Sequence, residues 1–338
     1  MINKYHPKAQ ETNRTVLGGG KMNNELTKLI EWRRNLLKLS VIQIPNTEWL
    51  YMLTEETRNS LMIEGIFATD EELEGVLNGR YKSSREVVNY FRTASFFYDL
   101  AFEYYKTGEN PYSLAIVRMC HKKLFEGIIS NSERLGNFRN GPIKITGAKI
   151  KPPEYDISDW VSFWLKYVQF VYDNHPVHEA TARAHVLFES IHPFEDGNGR
   201  IGRILMNFYL IYHGYINITI KGMEQKERNE YIKALENAEK GIRGVFKYSP
   251  KDLSAEQVDE MFSNDDTKEL SVLIGFALID ALDRQICAAN KDKLIPADEF
   301  AKRIGKTTDA VRKMIERKKL IATKPAGRWF VYPEMMER

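Results

Sequence analysis

Apolar side chains recur three and four positions apart over most of this chain, as in Leu26, Leu29, Ile30, Trp32 and Leu36, then Leu50, Leu53 and Leu61, and later Phe97, Leu100 and Phe102. That spacing lays them along one stripe of an α-helix. It predicts helices from Asn23 to about Asn140 and from Asp156 to about Asn290, with breaks near Pro176, Pro193, Gly214 and Pro250. One change of period interrupts them. In IKITGAKI, Ile143 and Ile145 on one side and Lys149 and Ile150 on the other flank Gly147, the pattern of a short hairpin with a glycine turn. The expected fold is mainly α with one β-hairpin flap at about Pro142 to Ile150.

Length and charge narrow the class further. At 338 residues the chain exceeds the usual domain size of about 100–150, so two or three units are expected. With 43% hydrophobic residues it can fill a core, and its 49 Lys+Arg against 46 Asp+Glu argue against a protein coated in nucleic acid. Cys120 and Cys287 are far apart and form no CxxC pair, which excludes a disulfide framework and a cysteine-rich zinc site. The polar N-terminus lacks the apolar core of an export signal, and the longest apolar stretch, Ser271 to Leu282, is too short for a bilayer and contains Asp280. A cytoplasmic protein without membrane contact is expected. Residues 1–22, with Gly18 to Gly20, read as a flexible arm; GGGK fails as a P-loop because Thr15 and Met22 stand where a glycine and a Ser/Thr are required.

The last segment has its own pattern. Ala297 to Ile304 suits a short helix, Gly305 a turn, Thr307 an N-cap, and Thr308 to Lys319 a second helix with Val311, Met314 and Ile315 inward. Leu320 to Lys324 and Arg328 to Tyr332, joined by Pro325-Ala326-Gly327, complete a winged helix-turn-helix outline. Residues 291–338 hold 13 Lys+Arg and 7 Asp+Glu, while the remainder holds 36 and 39. Lys306, Arg312, Lys313, Arg317, Lys318 and Lys319 cluster around the second helix. Residues 306–319 are thus a candidate DNA contact, weighed equally against a protein-docking or dimerisation module.

The chemistry concentrates between two helices. Ala180, Ala184, Leu187 and Ile191 mark a face that Pro193 ends at His192, and Ile201, Ile204, Leu205 and Phe208 mark the next. Gly197-Asn198-Gly199 at a helix start leaves backbone N–H groups open with the helix dipole behind them, a cradle for phosphate. Arg200 and Arg203 add cationic donors from the same first turns. Asp196 offers a hard oxygen to Mg²⁺, and His192 a general base near neutral pH.

The stretch His192-Pro193-Phe194-Glu195-Asp196-Gly197-Asn198-Gly199-Arg200-Ile201-Gly202-Arg203 resembles the Fic-domain signature HxFx(D/E)GNGRxxR at every specified position. Residues 120–139, the flap at 141–151 and residues 184–194 also look like Fic sequence, so the resemblance covers roughly 25–245. It implies a Fic-type helical bundle with a β-hairpin flap, and transfer of AMP from ATP to a protein Tyr, Ser or Thr hydroxyl. By resemblance His192 is the base, Asp196 holds Mg²⁺, Gly197, Asn198 and Gly199 bind the phosphate chain, and Arg200 and Arg203 position its β/γ end. Phe194 is the buried anchor of the loop. Gly199 stands where the phosphoryl-transferring Doc toxins have Lys, which favours AMP transfer.

Ser60-Leu61-Met62-Ile63-Glu64-Gly65 is similar to the family's inhibitory motif (S/T)xxxE(G/N), in the class II position ahead of the catalytic loop. Ser60 and Glu64 share a helix face and Gly65 suits its C-terminal stop. The resemblance implies that Glu64 pairs with Arg203 and occupies the seat of the γ-phosphate, an autoinhibited state, with self-modification and AMP removal as further reactions. His185 is expected to pack within its helix, Glu195 to face solvent, and Tyr231 to lie in the core or near the adenine. The expected organisation is an arm (1–22), an N-terminal helical region with the inhibitory motif (23–110), a Fic core (111–250), connecting helices (251–290) and the winged module (291–338). The alternative is a DNA-binding regulator with the Fic core as sensor. The sequence does not name the target, and it leaves a homodimer open.

Overall fold

A computed structural model describes residues 19–37, 47–79, 83–131, 133–145 and 149–336. In chain order the helices are α1 (Gly19–Leu37), α2 (Thr47–Ile63), α3 (Asp70–Leu77), α4 (Arg85–Thr107), α5 (Leu114–Leu124), α6 (Ile157–Asn174) and α7 (Val177–Ile191). They continue as α8 (Asn198–Tyr212), α9 (Gln225–Ala238), α10 (Ala255–Met261), α11 (Asn264–Ala289), α12 (Ala297–Arg303) and α13 (Thr308–Glu316). The chain divides into two compact units, one of residues 43–277 and one joining 1–42 to 278–338. None of the helices among the described residues is long and apolar enough to cross a membrane.

The larger unit is a helical bundle built around α7 and α8. Both are buried on nearly every side: Ala180, Val186, Leu187 and Ile191 of α7 and Ile201, Ile204, Leu205 and Phe208 of α8 are all at or near zero exposure. A helix apolar all round belongs inside a bundle, and here α8 packs against α2, α4, α5 and α7, while α6 covers α7. Local chemistry sets the helix ends. Ser84 and Ser113 cap α4 and α5, and Thr69 forms a capping box with Glu72 on α3. Helix α2 closes on Gly65 (φ +77°), where Gly65 N–H reaches the Met62 carbonyl at 3.0 Å and Ile66 N–H the Leu61 carbonyl at 2.9 Å, a Schellman stop.

The turn of the expected flap, residues 146–148, lies outside the described residues; Pro142–Ile145 and Lys149–Ile150 on either side carry no strand pairing. Residues 1–18 of the expected arm also lie outside them, and Gly19 to Met22 are the first turn of α1.

In the smaller unit, β1 (Ile295–Pro296), β2 (Ala322–Thr323) and β3 (Phe330–Val331) form an antiparallel sheet in the order β1-β3-β2, with Ile295 opposite Val331 and Ala322 opposite Val331. Phe300, Val311, Ile315, Leu320 and Val331 form its core. Thr307 caps α13 through the Ala310 N–H at 3.2 Å. The second helix stops at Glu316, three residues short of its expected end, because Lys318 takes a left-handed conformation (φ +58°) at the position glycine usually fills. Its ammonium pairs with Asp280, and its carbonyl accepts from Arg33 at 2.9 Å. Arg33, fully buried on α1, also binds Asp283 at 2.6 Å and the Leu320 carbonyl, so α1 groups with this unit and not with residues 47–110.

Candidate active site

The loop between α7 and α8 is held by three devices. His192 ends α7 in a left-handed conformation (φ +51°), its N–H on the Phe188 carbonyl at 3.0 Å. Phe194 is fully buried and stacks on His121 at 4.3 Å and against Phe138 at 5.2 Å. Asn198 closes the turn: its Oδ1 accepts from Phe194 N–H at 2.9 Å and its Nδ2 donates to the Phe194 carbonyl at 2.8 Å. Both polar ends of the Asn198 side chain are thereby engaged, and it is 1% exposed. The turn uses the side-chain amide, and what Asn198 can offer an anion is its backbone N–H.

A fourth support comes from Arg139, which sequence reasoning did not single out. Its Nε donates to the His192 carbonyl at 2.7 Å and its Nη2 to the Ile191 carbonyl at 3.0 Å and the Pro153 carbonyl at 2.6 Å, with Nη1 on the Gly141 carbonyl. Its own N–H reaches the Pro193 carbonyl at 2.9 Å. One guanidinium thus ties the α7–α8 loop to the segment around Pro153. Burial lowers its pKa to about 10, so it stays charged at neutral pH.

His192 is half-buried, and its Nδ1 lies 3.2 Å from the Glu189 carbonyl, which can only accept. Nδ1 therefore carries the proton and Nε2 presents a lone pair. Burial lowers its pKa, with the Glu189 hydrogen bond acting the other way and Arg139 adding to the lowering. A neutral imidazole of this tautomer can take a proton at Nε2.

Helix α8 starts at Gly197 with no side-chain cap, leaving its first N–H groups open to an anion. Gly197 is required twice over: φ is +78°, and a Cβ would overlap the Phe125 ring. That ring carries the Arg200 guanidinium at 4.8 Å, and Arg200 Nη2 lies 3.4 Å from Asp196 Oδ1. The Asp196 side chain is 69% exposed at the mouth of the cradle. Glu195 faces outward and pairs with Arg134.

Arg203 is buried and occupied. Its Nη2 donates to Glu64 Oε1 at 2.6 Å and to the Ser60 carbonyl at 3.0 Å, and its Nε to Ser60 Oγ at 2.7 Å. Burial alone would raise the Glu64 pKa, but the Arg203 charge and hydrogen bond outweigh it and hold the carboxyl below its usual range. The same carboxylate sits over Gly199: a Cβ there would overlap Glu64 Oε1. Ser60, Glu64, Gly199 and Arg203, up to 143 positions apart in sequence, meet at one end of α8.

Beneath this layer, the Tyr231 hydroxyl and His185 Nε2 share a hydrogen bond of 2.7 Å. Both are buried, so Tyr231 and His185 belong to the core of the site. Glu189, buried with no hydrogen-bond partner for Oε1, has its pKa raised to about 8, first by burial, with Arg203 opposing and Glu64 reinforcing the rise.

Residues 111–210, which contain this whole loop, match the Fic/DOC family. A probable protein adenylyltransferase of Aquifex aeolicus is 33% identical over 299 residues, 82% of this chain and 84% of that protein. The chain belongs to the Fic/DOC family. The protein adenylyltransferase Fic of Aedes aegypti is 36% identical over a shorter stretch, 31% of this chain and 21% of its own length. In fold, this Fic/DOC chain is similar to a Fic domain containing signaling protein of Bacteroides thetaiotaomicron, with a TM-score of 0.61 at 21% identity over 78% of this chain and 98% of that one. A Fic family protein of Desulfovibrio desulfuricans gives 0.56 at 16% identity, covering 97% and 100%.

Among the described residues no group of three or more His, Cys, Asp or Glu gathers to hold a metal. A divalent cation of the Mg²⁺ type still fits Asp196, whose exposed carboxylate supplies one hard oxygen beside the anion cradle, the set expected when substrate phosphates complete the shell.

Proposed function

We propose that this Fic/DOC chain is a nucleotidyltransferase that moves AMP from ATP to a Tyr, Ser or Thr hydroxyl of a target protein, and that it is held in an autoinhibited state by Glu64. One observation carries the reading: the Glu64 carboxylate lies on Arg203 and over Gly199, at the helix start where the phosphates of a nucleotide would be bound. A carboxylate there competes with phosphate for the same charges.

In this reading His192 Nε2 takes the proton of the target hydroxyl, its oxygen attacks the α-phosphorus, and the bond to pyrophosphate breaks. Arg200 and the open N–H groups of α8 neutralise the phosphate chain, and Arg203 takes its far end once Glu64 has moved. Mg²⁺ at Asp196 would supply further charge neutralisation on the phosphates. The names of the Aquifex and Aedes relatives, both protein adenylyltransferases, support the same activity.

Incubation with labelled ATP and Mg²⁺ tests it. Glu64→Gly is expected to raise labelling of itself or of a lysate protein, and Glu64→Gly with His192→Ala to abolish it. No labelling by the Glu64→Gly protein overturns the proposal.

For residues 306–319 the geometry favours docking over DNA. Lys318 and Lys319 are engaged by Asp280 and Glu25, and the exposed Arg312 and Lys313 share α13 with exposed Asp309 and Glu316, Arg317 following as its C-cap.

A further inference from the structure

Helix α2 carries a buried carboxylate that the mechanism above does not use. Glu56 is 3% exposed and lies one helical turn before Ser60 and two before Glu64, so the three side chains share one face. Every partner of Glu56 donates to it. Tyr90 O–H reaches Oε1 at 3.1 Å, Tyr98 O–H binds the same oxygen, and Asn217 Nδ2 reaches Oε2 at 3.2 Å. Asn207 Nδ2 donates in turn to the Tyr98 hydroxyl at 3.0 Å and fixes it.

The anchored helix carries the inhibitory contact. Tyr90 and Tyr98 are both buried on α4, so their two hydroxyls on one carboxylate pin the middle of α2 to that helix. Ser60, one turn on, accepts from Arg203 Nε at 2.7 Å and its carbonyl from Arg203 Nη2 at 3.0 Å, and Glu64 accepts from the same guanidinium at 2.6 Å. Leaving a buried carboxylate without its donors is costly, so the anchor resists movement of the helix that bears Ser60 and leads into Glu64.

We propose that Glu56 is a positioning residue for inhibition: by tying α2 to Tyr90 and Tyr98 of α4 and to Asn217, it locks the C-terminal turn of α2 in the register that places Glu64 on Arg203. The inference rests on the reading of Glu64 as the inhibitory group. Burial raises the Glu56 carboxyl to about 7 against the pull of its hydrogen bonds from Tyr98, Asn217 and Tyr90, so pH 8 lies on its ionised side.

Four variants at pH 8 test it, each checked for wild-type helix content by circular dichroism: Glu56→Ala, Glu56→Gln, Tyr90→Phe, and Glu56→Ala combined with Glu64→Gly. Glutamine keeps the acceptor for both tyrosines and can turn its amide toward Asn217 Oδ1, which has no partner. Glu56→Ala and Tyr90→Phe are expected to raise AMP labelling on the order of tenfold, within the usual range of coupling between sites, and Glu56→Gln to stay repressed. The double variant should label like Glu64→Gly alone, because Glu56 acts through Glu64. Amide exchange in residues 57–66, read by mass spectrometry, should quicken in Glu56→Ala and Tyr90→Phe and not in Glu56→Gln. That readout needs no activity, so failure of Glu64→Gly to label would overturn the inhibitory reading while exchange still decides whether Glu56 anchors the turn. Unchanged labelling and exchange in both Glu56→Ala and Tyr90→Phe overturn the proposal. So does a double variant that labels far less than Glu64→Gly, since Glu56 would then serve the active fold as a whole.

Discussion

The carbonyl of His192 accepts the Nε–H of Arg139 at 2.7 Å, while the same guanidinium holds the Pro153 carbonyl at 2.6 Å. The base of the proposed reaction is therefore placed by a cation whose donors all go to backbone. Lysine, a point charge without the planar fork, cannot serve four carbonyls at once. In the Glu64→Gly background, Arg139→Lys is expected to lower kcat about 100-fold through misplacement of His192, with a much smaller change in KM for ATP. Steady-state AMP transfer measures both, and an unaltered kcat would show that His192 holds its position without the guanidinium.

Gly197 shapes the cradle from the other side. A side chain there must adopt φ near +78° and displace the Phe125 ring on which Arg200 lies. Gly197→Ala should cost about 2 kcal/mol or more, from left-handed strain plus overpacking, and should weaken nucleotide binding because Arg200 loses its platform. Thermal unfolding and ATP titration of the Glu64→Gly protein with and without Gly197→Ala read the two effects; wild-type values in both would contradict the geometry.

His192 works as a base only when neutral. Burial, which disfavours its cation, lowers its folded pKa below the ordinary value near 6.5, so the neutral form dominates at and above pH 6.5. Falling pH protonates it only below that point. The rate of AMP transfer by Glu64→Gly is thus expected to fall with an acid limb centred below pH 6.5. A limb centred above pH 7 would mean that an acidic neighbour, not burial, controls the imidazole.

Much of this site was legible in sequence because the residue types have few other uses. Gly197 and Gly65 both take the left-handed backbone that their places at helix ends demand, and Phe194 is the buried anchor that the motif resemblance implied. Thr307 likewise caps α13 as its place before an apolar run implied. What escaped reading depends on long-range partners. Arg139 sits in a polar stretch and satisfies carbonyls as far as 53 residues away, and carbonyls leave no mark on sequence. Glu56 looks like one more charge in TEETRN until α4 brings Tyr90 and Tyr98 over it. The end of α13 was misplaced for a related reason: Lys318 takes glycine's conformation because Asp280 and Arg33, from elsewhere in its unit, hold it there. The motif resemblance placed Asn198 with the phosphates, and the structure adds that its side-chain amide closes the turn on Phe194.

His178 offers a test of the bundle that is separate from catalysis. It is fully buried on α7, and neither ring nitrogen has a hydrogen-bond partner. Burial lowers its pKa to about 4, against an ordinary value near 6.5 in the unfolded chain. Between those values the unfolded state binds the proton and the folded state does not, so stability falls as pH drops from 6.5 toward 4. The loss from this one group approaches about 3 kcal/mol at the acid end. Leucine fills a similar volume with no polar atom to desolvate. His178→Leu is therefore expected to raise Tm at pH 7, and its advantage over the wild type should grow steadily down to pH 4 and then level off. Thermal unfolding of both proteins across that range checks the sign and the window; an advantage that stays constant with pH would show that His178 is protonated in the folded bundle as readily as outside it.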